Sequence, residues 1–291
     1  MTTIAVIGPG AVGGALAVHL ELRHPGAVCV AARTPFAGLE VRTGEALLRA
    51  TPTVIDSPTD GRPVDWVLIT TKAYDAAPAA EWVRALIDVH SRVAVVQNGV
   101  EHVERFAPYV PTEQLVPVVV DLPAHRTAPG RVVQRGTAAL TAPASSDGRR
   151  FCDLFAGTAV TARTTDDFTT AAWTKLVFNA TGAITAASSA PRLTMDRAAT
   201  QRLVEQVLAE AIAVGRAEGA RLPDSLAVQI MQALEVSTST APNSMHADRL
   251  AGRRMEIEAR NGAIVRIGAR HGVPTPVNAL LVDLLSSVDH G

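Results

Sequence analysis

The sequence predicts an α/β protein in which a doubly wound parallel sheet domain is followed by an all-helical domain. In the first half of the chain, short runs rich in Val, Ile and Ala alternate with helical stretches, a pattern typical of strands buried on both faces of a parallel sheet. From about residue 165 onward, apolar residues recur at helical spacing over long segments instead. We therefore expect two domains, residues 1–167 and residues 168–291.

Each apolar run in the first half corresponds to one predicted element. Two later runs, 115–120 and 130–134, have no long helix between them, so we expect antiparallel edge strands there. The earlier runs and the helices between them follow the order of right-handed βαβ units. They predict strands at 3–7, 27–31, 66–70 and 92–97, and helices at 11–22 and 75–89.

In the second half, glycine and proline mark the ends of the predicted helices. These helices cover 198–218, 248–271 and 276–288, and the first two end at Gly219 and Gly272.

The segment 171–181, AAWTKLVFNAT, reads as a buried helix that carries two polar residues. Lys175 and Asn179 are four residues apart and therefore share one helix face. Because a lysine is rarely buried without a partner, Lys175 either reaches water from a surface helix or lines a cavity in which its charge is used. We expect the helix to be anchored by its apolar residues, Trp173, Leu176, Val177 and Phe178.

The composition suits a globular protein with enough apolar material for two medium domains. The 291 residues are 47% hydrophobic and 19% charged with a net charge of -1, so no overall field attracts nucleic acid or anionic lipid. No apolar run is long enough to span a bilayer, and the first residues lack the order of a secretion signal. We expect a cytoplasmic protein with neither a nucleic-acid nor a membrane partner.

A glycine-rich segment follows the first predicted strand and opens the first predicted helix. It has the spacing G-x-G-x-x-G, in which Gly8 allows a tight turn, Gly10 lets the backbone approach a pyrophosphate and Gly13 permits close helix packing. Free N–H groups at the helix start suit a phosphate. The segment could also be a plain βα turn, but its place predicts a Rossmann-like dinucleotide site made by Gly8, Pro9, Gly10, Ala11, Val12 and Gly13.

Three polar residues after other strands complete the predicted cofactor site. Arg33 lies about twenty residues past the glycines, where proteins that bind NAD carry an acidic residue. A guanidinium suits a 2′-phosphate, so Arg33 predicts NADPH rather than NADH unless it is an ordinary solvated arginine. Lys72 and Asn98 follow two further strand ends, where ligands of open sheets bind. Alternatively, Lys72 is a solvated loop lysine and Asn98 begins an Asn-Gly turn.

Taken together, these segments resemble the ketopantoate reductase family (2-dehydropantoate 2-reductases) over nearly the whole chain. The matching stretches are GPGAVGG, the arginine after the second strand, TTKAYD, QNG, WTKLVFNA and NSMHADRLAGRRMEIEARNG. The resemblance implies reduction of ketopantoate to pantoate with NADPH, on the route to pantothenate. It implies Lys175 and Glu256 as catalytic residues and Asn179 and Ser244 as substrate-binding residues, with Asn243 near the place of a further family asparagine that holds substrate. From its strand end, we expect Asn98 to bond the nicotinamide ribose or a substrate oxygen, and we expect Glu256 also to reach the cofactor.

The chemistry of ketone reduction fits these residue types. Negative charge grows on the carbonyl oxygen during hydride transfer, and a protonated Lys175 can stabilise it and then donate a proton. A carboxylate at Glu256 would keep that lysine charged. Alternatively, Glu256 lies on a helix surface and pairs with Arg253 or Arg260, both at helical spacing. We expect Asp248 to cap the start of that helix or to bond the Ser244 loop.

The sequence leaves other functions open, both for an enzyme and for a protein without catalytic activity. The substrate could be another 2-oxo acid, or the protein could oxidise a hydroxy acid. A non-catalytic NADPH sensor would need the glycines and Arg33 but not Lys175 with Glu256. The histidines lack metal-binding spacing, so we expect no metal. The apolar helix faces serve either a homodimer or the core of the domain itself.

Overall fold

The computed structural model describes residues 2–188, 190, 193, 195, 197–237 and 242–289. It divides into two compact units, one made of Met1–Gln97 and Glu101–Phe168 and the other of Asn98–Val100 and Thr169–Gly291. We refer to them as unit 1 and unit 2. None of the helices formed by the described residues has both the length and the apolar character needed to cross a membrane.

The strands and helices are as follows. The strands are β1 (Ile4–Ile7), β2 (Val28–Ala31), β3 (Leu39–Thr43), β4 (Ala46–Ala50), β5 (Thr53–Ile55), β6 (Trp66–Ile69), β7 (Arg92–Val96), β8 (Leu115–Asp121), β9 (Ala124–Ala128), β10 (Arg131–Gln134), β11 (Ala138–Pro143) and β12 (Val160–Thr165). The helices are α1 (Ala11–Arg23), α2 (Ala76–Leu86), α3 (His102–Phe106), α4 (Ser146–Asp153), α5 (Phe168–Ala180), α6 (Gly182–Ser188), α7 (Ala198–Ala217), α8 (Leu226–Val236), α9 (Ser244–Leu250), α10 (Asn261–His271) and α11 (Pro276–Ser286).

Unit 1 is built on an eight-stranded sheet in the order β12-β11-β8-β7-β6-β1-β2-β5. The six strands from β8 to β5 in this order run parallel, whereas β11 pairs antiparallel with β8. All four residues of β1 and of β6 are buried, as expected for strands covered on both faces. The α/β fold class and the four early strands are therefore confirmed.

A second sheet of four strands, in the order β4-β3-β10-β9, covers the outer side of α1. The helix thus lies between two sheets, and every residue from Gly13 to Leu20 is buried. The sequence did not predict this sheet. The expected edge position was wrong, because β8 lies inside the large sheet and β10 inside the second one. Each strand does make one antiparallel pair, β8 with β11 and β10 with β9, and one parallel pair, β8 with β7 and β10 with β3. Pairing between strands so far apart in the chain leaves no local sequence pattern.

Unit 2 consists of helices packed around one apolar core that includes Trp173, Leu176 and Val177 of α5. The expected helix over 248–271 is wrong, because α9 ends at Leu250 and α10 begins at Asn261. Gly252 adopts a left-handed φ of 61°, a conformation that commonly ends helices. Residues 251–260 therefore form a separate irregular segment, which brings Glu256 into the site described below.

Candidate active site

The turn between β1 and α1 needs glycine at two of its three motif positions because of the protein's own packing. Gly8 has a φ of 87°, and a Cβ there would lie 2.7 Å from Thr71 Cγ2. At Gly13, a Cβ would overlap both Thr70 Oγ1 and the carbonyl oxygen of Gly8. These two glycines let the turn fold back on itself and pack against the end of β6.

Gly10 differs, because the protein itself leaves room for a side chain there. The nearest atom to a Cβ on Gly10 would be the Gly8 carbonyl oxygen, at 3.9 Å. Gly10 caps α1 without a side-chain bond, and the first helical bond runs from Gly14 N–H to the Gly10 oxygen. The N–H groups of residues 11–13 precede that bond and can receive an anion. The space at Gly10 therefore fits the close approach of a pyrophosphate.

Thr70 holds this turn directly, and Gln97 bonds the neighbouring Thr71; neither Thr70 nor Gln97 was predicted as part of the site. The Thr70 hydroxyl lies 2.9 Å from the carbonyl oxygens of both Ile7 and Gly8. Gln97 donates to the Thr71 carbonyl oxygen at 2.9 Å, and its own oxygen accepts from Arg105 at 2.9 Å. Their position after β6 and β7 was the available signal, since ligand sites lie at the carboxyl ends of parallel strands.

The remaining residues predicted for the cofactor in unit 1 are Arg33 and Lys72. Arg33 lies in the loop after β2 and is exposed, and its guanidinium makes no hydrogen bond or ion pair with any described residue. Lys72 is half-buried and precedes a single 3₁₀ turn over Ala73–Asp75. Both residues belong to the same unit as the glycine turn.

In unit 2, the predicted polar face of α5 is present. Lys175 and Asn179 are both half-buried on this helix, and Lys175 Nζ lies 5.6 Å from the centre of the Phe178 ring. Phe178 does not anchor the helix as expected, because 41% of it is exposed. At three residues from Lys175 it lies beside the ammonium, where an aromatic face attracts a cation.

A chain of side-chain hydrogen bonds connects Asn179 to Glu256 through Asn98. The Asn179 amide donates to Asn98 Oδ1 over a long distance of 3.4 Å, and Asn98 Nδ2 donates to Glu256 Oε2 at 3.2 Å. Gly99, with a φ of 102°, turns the chain just after Asn98. Three residues that the sequence places far apart are thus grouped within unit 2.

Glu256 is a buried carboxylate, and the alternative of a helix-surface residue is wrong. It lies in the irregular segment between α9 and α10 and is only 5% exposed. Glu258, two residues later, is exposed and pairs with Arg266. Arg260 is close enough to Glu256 for their charges to interact, although the two are not in one helix.

Arg260 joins Glu256 to Ser244 and Asp248. Its guanidinium is 3% exposed and donates to Ser244 Oγ at 2.6 Å. Burial lowers the pKa of Arg260, while the charges of Glu256 and Asp248 raise it. Asp248 does not cap a helix as expected. It lies within α9, is buried, and pairs with Arg253 at 2.9 Å.

Asn243 is the residue that caps α9. Its Oδ1 accepts from the N–H groups of Met245 and His246, each at 3.1 Å. Its Nδ2 donates to Thr185 Oγ1 at 2.6 Å and to the Gly182 carbonyl oxygen at 3.3 Å, both on α6. These bonds fix the start of α9, and with it Ser244. The role of Asn243 in substrate binding stays a prediction.

The family model described as "Ketopantoate reductase PanE/ApbA" matches residues 4–147, and its C-terminal counterpart matches residues 167–289. The chain belongs to the ketopantoate reductase family. Its sequence is 47% identical over 288 residues to the 2-dehydropantoate 2-reductase of Caulobacter vibrioides, and the match covers 99% of each chain. The resemblance noted from the sequence is thereby confirmed.

Solved ketopantoate reductases have the same fold. A crystal structure of a PanE/ApbA family ketopantoate reductase from Ralstonia eutropha JMP134 matches with a TM-score of 0.90 at 28% identity, covering 99% of this chain and 98% of that one. A dimeric ketopantoate reductase from Staphylococcus aureus matches with a TM-score of 0.87 at 21% identity, covering 98% of each chain. At that identity the second likeness concerns the fold alone.

Membership of the ketopantoate reductase family implies a nicotinamide cofactor, and the residues of unit 1 fit one. The open space at Gly10 and the free helix start of α1 suit a pyrophosphate, as described above. Within the described ranges, no group of three His, Cys, Asp or Glu residues is arranged to hold a metal ion.

Proposed function

We propose that this chain reduces 2-dehydropantoate (ketopantoate) to pantoate with NADPH. The observation that carries the proposal is the hydrogen-bonded array of Asn179, Asn98 and Glu256, in which Asn179 lies on the same face of α5 as Lys175, one turn away. The identity to the Caulobacter reductase over the whole chain supports the choice of substrate. We propose further that unit 1 holds the nucleotide and unit 2 the oxo acid, with residues 98–100 grouped with unit 2.

Lys175 acts on the carbonyl oxygen of the substrate. The bound nicotinamide supplies the hydride to the carbonyl carbon. Charge develops on the oxygen as the hydride arrives, and the Lys175 ammonium stabilises that charge. The ammonium then donates its proton to the oxygen, which yields the hydroxyl group of the product. The face of the Phe178 ring, 5.6 Å from Lys175 Nζ, attracts the ammonium group.

The asparagine pair orients the substrate, and Glu256 completes the site. Asn98 uses its oxygen for Asn179 and its amide for Glu256, so its side chain is held from both ends. Asn179 has a second amide hydrogen and its own oxygen for the substrate. Glu256 can accept a hydrogen bond from the hydroxyl group of ketopantoate. The positive charge of the nearby Arg260 attracts this buried carboxylate.

We expect Arg33→Ala to lower kcat/KM for NADPH by about 10- to 100-fold and to leave that for NADH nearly unchanged. Only NADPH carries the 2′-phosphate, and hydrogen bonds between charged groups contribute about 1.5–3 kcal/mol. Steady-state kinetics with both cofactors measures the ratio. Arg62→Ala is the matched control, because Arg62 is an exposed arginine of unit 1 whose side chain donates to the adjacent Gly61 carbonyl and to no other described residue. Equal losses with both cofactors would contradict NADPH selection by Arg33.

A panel of 2-oxo acids tests the proposed reaction. NADPH consumption is followed by its ultraviolet absorbance with 2-dehydropantoate and with 2-oxo acids that lack the hydroxymethyl group. The proposal expects the highest kcat/KM for 2-dehydropantoate, because Glu256 can accept from its hydroxyl group. Faster turnover of another 2-oxo acid would reject the narrower substrate assignment, and failure to reduce any of them would reject reduction altogether.

We also propose that two copies of the chain associate through α11. Leu280 and Leu284 lie one turn apart on this helix and are 66% and 47% exposed. Such an apolar stripe favours contact with a second protein surface, and the Staphylococcus aureus relative is dimeric.

Size-exclusion chromatography with light scattering should show a dimer. The double variant Leu280→Lys/Leu284→Lys should be monomeric, while Val89→Lys, on an exposed residue of unit 1, should stay dimeric. A wild-type monomer would refute the proposal.

A further inference from the structure

Arg260 is a buried charge to which the proposed reaction gives no direct part. It stands at the start of α10, where its N–H donates to the Ile257 carbonyl oxygen and its own carbonyl oxygen accepts from Ile264. Its side chain is 3% exposed. A buried guanidinium is costly in free energy unless its bonds and neighbouring charges compensate, so the contacts that it makes indicate its use.

The contact with Ser244 has a fixed direction. A guanidinium has N–H donors and no acceptor, so Ser244 Oγ must accept the hydrogen bond from Arg260 at 2.6 Å. The hydroxyl hydrogen of Ser244 is therefore available to another acceptor. Ser244 is an exposed residue at the first position of α9, with Asn243 holding the backbone in place. Its O–H can thus donate to a group that arrives from outside the core.

The charge of Arg260 also offsets a local excess of negative charge. Glu256 and Asp248 are both buried, and both interact with the Arg260 guanidinium. Asp248 has a second partner in Arg253, at 2.9 Å. The positive charge of Arg260 therefore reduces the repulsion that an anionic oxo acid meets from the Glu256 carboxylate, since like charges repel.

We infer that Arg260 is a positioning residue for the reaction: by donating to Ser244 Oγ, it directs the Ser244 hydroxyl hydrogen toward the carboxylate of the substrate. The inference rests on the proposed function, since it takes the substrate to be an oxo acid. A hydroxyl that accepts from a cation is also polarised, which strengthens the bond that it donates. Arg260 therefore acts through Ser244 and does not touch the substrate.

A double-variant comparison tests this inference with the full-length protein and 2-dehydropantoate. The variants are Arg260→Met, Ser244→Ala and the two combined, and Arg253→Met serves as the matched control, because Arg253 pairs with Asp248 and not with Ser244. KM for the oxo acid, kcat and the Kd for NADPH are measured for each. Residues that act as one unit give effects that do not add.

We expect Arg260→Met to raise KM about tenfold or more, with a smaller change in kcat and an unchanged Kd for NADPH. In the Ser244→Ala background, the same substitution should change KM less than about twofold. Arg253→Met should leave KM at the wild-type value. If the two substitutions multiply their effects on KM, or if Ser244→Ala leaves KM unchanged, the inference is overturned.

Arg260→Lys covers the case in which Arg260→Met fails to fold. It keeps the positive charge beside Glu256 and Asp248 but lacks the planar fork that reaches Ser244. We expect Arg260→Lys to fold. It should raise KM for the oxo acid in the wild-type background but not in the Ser244→Ala background. Failure of both variants to fold would give Arg260 a purely structural role and would equally overturn the inference. If wild-type protein reduces a different oxo acid, the proposed substrate is wrong, and the same comparison is made with that acid.

Discussion

Replacing Lys175 with alanine is expected to lower kcat for 2-dehydropantoate by about 10²- to 10⁴-fold, the usual contribution of a positioned proton donor. The loss should be in kcat rather than in cofactor binding, because the glycine turn and Arg33 belong to unit 1 and Lys175 to unit 2. Single-turnover kinetics with NADPH separates the chemical step from product release. The Kd for NADPH, measured by fluorescence titration, should equal that of the wild-type protein.

Thr174→Ala is the matched control for this experiment. Thr174 is the preceding residue on α5, and its hydroxyl donates to the Thr170 carbonyl oxygen of the same helix at 2.7 Å. Its removal takes away one side-chain bond of α5 without touching the ammonium, so kcat should stay near the wild-type value. A Lys175→Ala protein that keeps more than about a tenth of wild-type kcat would be inconsistent with proton donation by Lys175.

Two alanine substitutions in the glycine turn should also have large effects, one on the free energy of unfolding and the other on the Kd for NADPH. Gly13→Ala should lower the free energy of unfolding by about 3 kcal/mol or more, because its Cβ would overlap Thr70 and the backbone of Gly8. Gly10→Ala should change that free energy by less than about 0.5 kcal/mol, since its Cβ meets nothing closer than 3.9 Å. It should instead raise the Kd for NADPH about tenfold or more, because the Cβ occupies the approach of the pyrophosphate.

Chemical denaturation measures the first quantity and titration with NADPH the second. The two variants carry the same chemical change three residues apart in one turn, so each is the control for the other. A Gly10→Ala protein with wild-type affinity would show that the nucleotide does not approach the backbone at this residue. A stable Gly13→Ala protein would mean that the turn and the end of β6 separate easily.

The sequence predicted the glycine turn and the early strands well because their signals are local. The β1–α1 turn must adopt one conformation whatever the rest of the chain does, and Gly8 and Gly13 are the residues that permit it. The second sheet escaped prediction because β3 pairs with β10, a strand that lies far along the chain. Its traces in the sequence were the predicted strand at 130–134 and the apolar outer side of α1, since a helix buried all round must be covered on every side.

In the candidate site, too, the features that depend on local spacing were predicted, whereas those that depend on where helices end or on tertiary packing were not. Lys175 and Asn179 share a helix face, and the spacing of four residues is enough to show it. The surroundings of Glu256 depend on where α9 ends, and the prediction overlooked Gly252 as the signal for that end. Asn243 could also have been recognised as a helix cap, because asparagine just before a helical pattern is a common N-cap. The Arg260–Ser244 bond arises from tertiary packing, and its spacing of sixteen residues carries no helical signal.

Transfer of deuterium from labelled cofactor tests directly whether the protein passes a hydride from NADPH to the carbonyl carbon of 2-dehydropantoate. Wild-type protein is incubated with 2-dehydropantoate and NADPH that is dideuterated at C4 of the nicotinamide, and the product is analysed by mass spectrometry and NMR. We expect pantoate with one deuterium at C2 for each NADPH consumed, and almost none from the Lys175→Ala protein. Unlabelled pantoate, NADPH consumption without pantoate, or no reaction of the wild-type protein would contradict this expectation.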